Sequence, residues 1–449
     1  MRAQRVPNHR LRSLLGRAGL NGPALARMVN RIGAESGLDL TYQRASVAQW
    51  LSGVRPRSPV PELIAESLSR RLGRRVTIEE IGLGAPESTA RIGRRPWWAT
   101  AAPDRLVEAY RAAGPSQSPV APAYSIAALS APSWTALAGM IPAEEPKGRT
   151  TTRVGSTEIT SATAMLHVFS GADLNFGGGH ARSALAGYLA CTIAPWLRAD
   201  GRSAVRRELL STAARLSYLC GFMCFDDESH SVAQQYYLTT LRLAAEGGDR
   251  CTYAMALRGL SAQARLLGHG GEAVALAESA VRTASGHVPP HARAFLLGQV
   301  GVAQAAVGNR RASLAALGRA EAQLARADGG SSPGGTSHAA SLAYQSAAAA
   351  NCLGDRGAAI RALGVSIRNR SRSERRTHAI SLARLAELQL AEGRLEQACA
   401  TWHEFLDHYS PLESRRAERA LDLLRAHTRP FQNNSVARGL RERAMTIRT

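Results

Sequence analysis

Apolar positions in the first 82 residues recur with helical spacing, in short runs cut by breakers. Asn8, followed by Leu11, Leu14 and Leu15 and then Gly19, predicts a capped first helix. Gly22-Pro23 opens a second, carrying Leu25, Met28, Val29 and Ile32. A third is predicted from Arg44 to Leu51, ended by Gly53, and a fourth from Pro61 to Leu72, with Leu63, Ile64, Leu68 and Leu72 on one apolar face. Four short helices in so short a stretch predict a small all-helical module, residues 1–83. Across residues 84–155 the periodicity dissolves into Pro, Ala, Ser and Gly, as in Gly114-Pro115-Ser116-Gln117-Ser118-Pro119, which predicts a partly disordered linker. Within it, Asp104 to Ala113 is a short helix candidate. Trp97 and Trp98, adjacent and too apolar to leave in water, are expected to dock on one of the flanking bodies.

Residues 156–427 are helical in pattern, and within them a repeat emerges. A glycine, a polar residue, three more and then a small residue recur as Gly268-His269 to Ala273, Gly308-Asn309 to Ser313, Gly354-Asp355 to Ala359 and Gly393-Arg394 to Ala398. The period is roughly 40 residues. Four residues past each small position stand Ala277, Leu317, Leu363 and Trp402, and three further on Ala280, Ala320, Ser366 and Phe405. Gly221, Ala233 and Tyr237 fit an earlier copy. Small residues let two helices of a hairpin approach, while the following position wedges against the next hairpin. Since neither helix can bury its face alone, the prediction is an all-α chain whose larger part is a right-handed tetratricopeptide-like α-solenoid with a concave groove. Residues 428–449 read as a basic tail.

Composition adds a partner class. The net charge of +21 points to a polyanion, nucleic acid being the commonest, although the positive charge is almost entirely arginine and a GC-rich genome accounts for part of that bias. Residues 1–82 alone hold fourteen arginines against six carboxylates, a net +8. No run of about 18 apolar residues predicts a membrane span, and Met1 to Gly19 lack the apolar stretch of a secretory signal, so a cytoplasmic protein is expected. Cys191, Cys220, Cys224, Cys251, Cys352 and Cys399 lack paired spacing and read as small core residues.

The most specific chemistry lies in Ser46-Val47-Ala48-Gln49-Trp50-Leu51-Ser52-Gly53-Val54-Arg55-Pro56, preceded by Leu20-Asn21-Gly22-Pro23-Ala24-Leu25-Ala26. Together they resemble the Cro/repressor-like, or xenobiotic-response-element, class of helix-turn-helix. Val47 and Trp50, three apart, face the core together, which turns Gln43, Arg44, Ser46 and Gln49 toward a major groove. Gln can pair with adenine, Arg with guanine, and Ser with either. Arg55 and Arg57, past the glycine turn, are placed for backbone phosphates. The segment Gly33 to Tyr42 is longer than the tight turn of that class, and Tyr42 reads equally as a base contact or a packing residue.

Other constellations carry less. Cys220 and Cys224, one turn apart beside Asp226, Asp227, Glu228 and His230, have ligand chemistry, but they sit among Leu219, Phe222 and Phe225 and read as core. Gly177-Gly178-Gly179-His180 precedes a helix without the Gly-Lys-Ser/Thr of a phosphate loop and reads as an interhelical turn. Arg368, Arg370, Arg372, Arg375 and Arg376 form the densest basic run and read as a solvated loop rather than a DNA contact. No serine sits in a nucleophile elbow, and neither a cofactor nor catalysis is expected.

Met165-Leu166-His167-Val168-Phe169-Ser170-Gly171-Ala172-Asp173, Phe176 to Arg182, Cys220 to Asp226 and Ala233 to Leu238 with Leu241 to Ala244 resemble an actinomycete family of tetratricopeptide regulators, the NsdA-like proteins of Streptomyces. The likeness spans nearly the whole chain outside the linker. It implies a negative regulator of morphological differentiation and antibiotic production. The expected partners are double-stranded DNA, a peptide or protein ligand in the repeat groove, and a second copy of the chain, since this class of helix-turn-helix reads palindromes as dimers. The competing expectation is a scaffold whose groove recruits a protein while the N-terminal module only docks.

Overall fold

The computed structural model describes residues 6–84, 96–113, 123–140, 153–328, 335–371 and 373–447. Among them there is no strand, only an isolated bridge between Arg153 and Asp200. The stretch Gly114–Pro119, Lys147 and Arg372 lie outside the described residues.

The N-terminal module comprises α1 (His9–Ala18), α2 (Gly22–Ala34), α3 (Arg44–Leu51) and α4 (Val60–Leu72). Side-chain caps fix where the first two begin. Asn8 Oδ1 accepts from the Leu11 amide and Asn21 Oδ1 from that of Ala24, both at 2.9 Å. Asn8 also donates through Nδ2 to the Ile81 carbonyl, and its own amide donates to that of Leu51, so one residue ties together α1, the end of α3 and the strap after α4. Leu11, Leu25, Val29, Ile32, Val47, Trp50, Leu63, Ile64 and Leu68 form one buried cluster.

The segment read as linker is partly built into the fold. After Trp97 and Trp98 come α5 (Ala102–Ala113) and α6 (Trp134–Met140). The tryptophans dock on the repeat array, stacked edge to face at 5.4 Å. Two buried arginines hold them there. Arg105 donates to the Trp97 carbonyl at 3.0 Å and to Gln235 at 3.1 Å, while Arg242 donates to the carbonyls of Trp98 and Thr100 and pairs with Glu246 at 2.7 Å.

The array begins with α7 (Ser156–Phe176), α8 (Gly178–Tyr188) and α9 (Ala194–Arg198). A wider π turn, Leu189–Ile193, joins α8 to α9 next to Pro195, which cannot donate to the helical ladder. Hairpins follow as α10 (Ser203–Asp226) with α11 (His230–Gly247), α12 (Arg250–Leu266) with α13 (Gly270–Ala284), α14 (Pro290–Ala306) with α15 (Arg310–Asp328), α16 (Gly335–Cys352) with α17 (Arg356–Arg368) and α18 (Arg375–Ala391) with α19 (Leu395–Tyr409). Each repeated glycine is a left-handed helix stop, with φ of 90° at Gly268 and 75° at Gly393. The next amide bonds back five residues, as in His269 to Ala264 and Arg394 to Gln389. The small residues Ala273, Ser313, Ala359 and Ala398 and the wedges Leu317, Leu363 and Trp402 are all buried. Tyr237 fills the notch left by Gly221 and also by Gly259, where a Cβ would come within 3 Å of its ring.

The segment read as a tail does not hang free. After α20 (Arg415–Thr428), α21 (Ser435–Thr446) buries Ala437, Leu440 and Ala444 against the cluster of Trp402 and Phe405. The array also curls until its ends meet. Arg376 of α18 bonds Asp173 of α7 at 2.9 Å and Asp226 of α10 at 3.3 Å, with all three side chains buried. The Gly179 amide donates to the Glu413 carbonyl at 2.8 Å, and that of Glu413 to Phe176 at 2.7 Å. The triple glycine is therefore a seam: a Cβ at Gly177 would stand 2.6 Å from the Glu413 oxygen, and one at Gly178 2.5 Å from that of Met223.

Two sequence expectations need correction here. Arg370 and Arg376 are not solvated: Arg370 is buried beside Glu374 and Ser366, and Arg376 closes the ring, whereas Arg368 and Arg375 are exposed. The run mixes helix-end and buried positions, which a charge pattern alone cannot separate. Among the cysteines, Cys220, Cys224 and Cys399 are core residues, but Cys191 and Cys352 are exposed. Burial pushes the Cys220 thiol well above its ordinary range, which keeps it protonated and unreactive.

Candidate nucleic-acid interface

The geometry of the module follows from how α3 is held. Its inner face is fixed by Val47 and Trp50, both buried. The long segment between α2 and α3 folds back on the core because Gly33 has no side chain: a Cβ there would stand 2.5 Å from Leu40 Cδ1. Asn30 then clamps its far end, donating to the Tyr42 carbonyl and accepting from its amide, each at 2.9 Å. The Tyr42 ring packs edge-on against Trp50, 5.2 Å between centroids. Tyr42, next to the Gln43 that caps α3, is thus pinned by both backbone and ring.

Of the residues expected to read bases, Gln43, which caps α3, and Arg44 and Gln49 within it are exposed. Ser46 is half-buried, and its hydroxyl accepts from the Gln43 amide at 3.4 Å, so it shares its capacity with the helix start. Arg55 and Arg57 are exposed beyond Gly53, which turns at φ 97°. At Gly53 a Cβ would collide with the Val6 carbonyl at 2.2 Å, so the chain entering the module braces the exit from α3.

The opposite side of the module is occupied. Arg70 of α4 forks onto Glu35 with two bonds of 2.7 Å and reaches Glu66 at 2.8 Å. Glu66 also lies 2.8 Å from Nε2 of His269, in the first repeated turn of the array. Tyr124 stacks flat on His269 at 5.7 Å and lies under Arg70. Ser231 of α11 donates to the Glu35 carbonyl at 3.3 Å. Although burial alone would lower the Arg70 pKa, its two carboxylate partners raise it overall. Arg70 therefore belongs to the junction and not to the charge available for a polyanion. Arg74 is likewise spoken for, by Glu80 at 2.6 Å.

Sequence reasoning missed this junction. The signal within reach was the Glu66/Arg70 pair one turn apart on α4, and the histidine where other repeats carry Asn309, Asp355 or Arg394.

The family described as SP15 N-terminal domain matches residues 11–84, which is the whole of the packed module from Leu11 through α4 and the strap that follows. No curated protein matches the chain. No helix among the described residues is long and apolar enough to cross a membrane.

Proposed function

We propose that this chain is a DNA-binding transcriptional regulator in which α3 enters the major groove and the array positions the module. The observation that carries the reading is the two-sidedness of the module. Its α2 end and α4 are engaged by the array, while Gln43, Arg44 and Gln49 are left in solvent and Val47 and Trp50 anchor α3 from behind. Arg44 and Gln49 supply base contacts, Arg55 and Arg57 phosphate contacts, and the operator is a palindrome read by a homodimer. The NsdA-like resemblance adds repression of differentiation and secondary metabolism as the biological role, in the cytoplasm.

A gel-shift titration against genomic fragments tests this. Specific fragments are expected to bind at least about 10³-fold tighter than bulk DNA, and Arg44→Ala to cost about 1–3 kcal/mol on those fragments alone. Purely non-specific binding unaffected by Arg44→Ala would overturn it. A second reading, a scaffold whose module only docks, is favoured by the buried Arg70–Glu35–Glu66–His269 junction. Function surviving deletion of residues 1–82, together with a stoichiometric protein partner on residues 153–449, is its signature.

A further inference from the structure

α12 turns one strip toward the inside of the curled array. Arg258, Ala262 and Arg265 follow one another at helical spacing, which puts them on one face. The helices packed on α12 are α10, α11, α13 and α14. The titratable groups that bear on Arg265 lie beyond them, on α16, α18 and α20, so the strip looks across the concave side. Burial lowers the pKa of Arg265; Cys352 and Tyr344 of α16 oppose that, and Arg416 of α20 and Arg384 of α18 add to it. No carboxylate is among these groups.

Arg258 and Arg265 are both half-buried, and among the described residues neither makes an ion pair or donates a hydrogen bond. Other enclosed guanidiniums of this chain have a carboxylate at hand: Arg70 has Glu35 at 2.7 Å, Arg242 has Glu246 at 2.7 Å, and Arg376 has Asp173 at 2.9 Å. Arg105 has none, but it is bonded to Thr239, Gln235 and the Trp97 carbonyl. Arg258 lies over the Phe295 ring at 3.8 Å, which positions its guanidinium without neutralising it. Nε of Arg258 and of Arg265 is closed to solvent and has no partner, so the Nη pair at each tip is what remains for a ligand. The facing cations have acids of their own, Glu387 at 2.8 Å from Arg384 and Asp226 at 3.7 Å from Arg416.

The spacing sets what fits. Two turns of helix separate Arg258 from Arg265, about 10 Å, so each tip can take one anionic group of a molecule roughly that long. A guanidinium matches the geometry of a carboxylate or a phosphate. Ala262, small and half-buried, leaves room between the two, and Phe295 beside Arg258 adds apolar surface. Two free cations match two anionic groups. The ring closed by Arg376 admits a small solute more readily than a chain that has to thread it.

We propose that the strip of Arg258, Ala262 and Arg265 binds a small organic dianion, its two carboxylates or phosphates on the two guanidiniums and its apolar body over Ala262. Arg265 stands four residues before His269, which holds Glu66 of the module at 2.8 Å. An occupant that draws the end of α12 inward therefore acts on the junction. That consequence rests on the DNA-reading proposal, while the binding itself does not.

Calorimetric titration of the full chain tests this, with α,ω-dicarboxylates from butanedioate to dodecanedioate and with bisphosphates of the matching diols. Affinity is expected to peak near the length of octanedioate, about tenfold above octanoate, which has one anionic end. Tighter binding in either series supports the site and names its anionic group. Arg258→Gln and Arg265→Gln are each expected to weaken the best dianion about tenfold, with circular dichroism unchanged. No binding in either series, no dependence on length, equal binding of octanoate, or indifference to both substitutions overturns the proposal. So does tighter binding of a capped oligoglutamate peptide than of every dianion, which would assign the strip to an acidic chain. Arg44→Ala separates the two readings: it removes DNA binding and leaves dianion binding intact if both hold. Dianion binding by a wild type that reads no DNA sinks only the regulator reading, and operator binding without dianion binding only this site. Operator affinity unmoved by saturating dianion removes the coupling through His269.

Discussion

Glu66 and His269 meet at 2.8 Å across 203 residues of chain, both buried, and their contact fixes the N-terminal module on the repeat array. Removing the imidazole leaves a carboxylate that still has Arg70 but has lost a partner in a site closed to water. His269→Ala is expected to cost about 2 kcal/mol, in the range for a hydrogen bond to a charged group, and to speed amide exchange in α4. Urea titration and hydrogen exchange check this, and unchanged protection of α4 would mean that the junction is not holding the module.

Asn30 acts on the interface without touching it. Asn30→Ala deletes both hydrogen bonds to the Tyr42 backbone, so the entry to α3 is expected to loosen while the core of Leu25, Val29 and Ile32 stays packed. Operator affinity should fall about tenfold, equivalent to some 1.4 kcal/mol, with far-ultraviolet circular dichroism unchanged. Anisotropy titration reads the affinity, and faster exchange at the Tyr42 amide reads the cause.

Ring closure depends on a buried ion triad. Arg376→Met strands Asp173 and leaves Asp226 with only Arg416 at 3.7 Å and the Gly178 amide at 3.1 Å, and a loss of about 3–5 kcal/mol is expected, as for other buried pairs broken on one side. Adding Asp173→Asn and Asp226→Asn should recover most of it. Denaturant midpoints of the single and triple variants decide the matter, and a triple variant as weak as the single one would show that the charges are not the cause.

Acid sensitivity has an identifiable source where the module meets the array. Burial pushes the His230 imidazole down from 6.5 to about 4, with Glu35 opposing and Arg70, Arg416 and Arg419 adding to the shift. The unfolded chain therefore takes up a proton below pH 6.5 that the folded chain refuses until about pH 4. Stability from this group is present above that window and is lost as pH falls through it, by at most about 1.4 kcal/mol per pH unit. Urea unfolding of wild type and His230→Gln at pH 7, 6 and 5 should show the wild type losing ground to the variant as the solution acidifies. Parallel curves would exclude His230 as the source.

Much of the fold was legible because its signals are local. Asn8, Asn21 and Gly19 mark helix ends through bonds made within a few residues, and the Gly-polar-small pattern encodes a turn, a cap and a hairpin contact in one short string. The exposed edge of α3 was legible for the same reason, since Val47 and Trp50 fix its orientation. What escaped was non-local. Nothing near Glu66 announces His269, and Arg376 looks in sequence like its exposed neighbour Arg375 although it is buried against α7 and α10. The triple glycine betrayed a turn but not the close approach of Glu413 that requires it.

The exposed edge of α3 is the centre of the account, and mapping bound sites across the genome of the native host tests it most directly. Wild-type protein is expected at discrete sites that share one palindromic motif, and a Gln43→Ala/Gln49→Ala variant at equal abundance should lose them. Absence of sites above background, or an unchanged map with the variant, would contradict it.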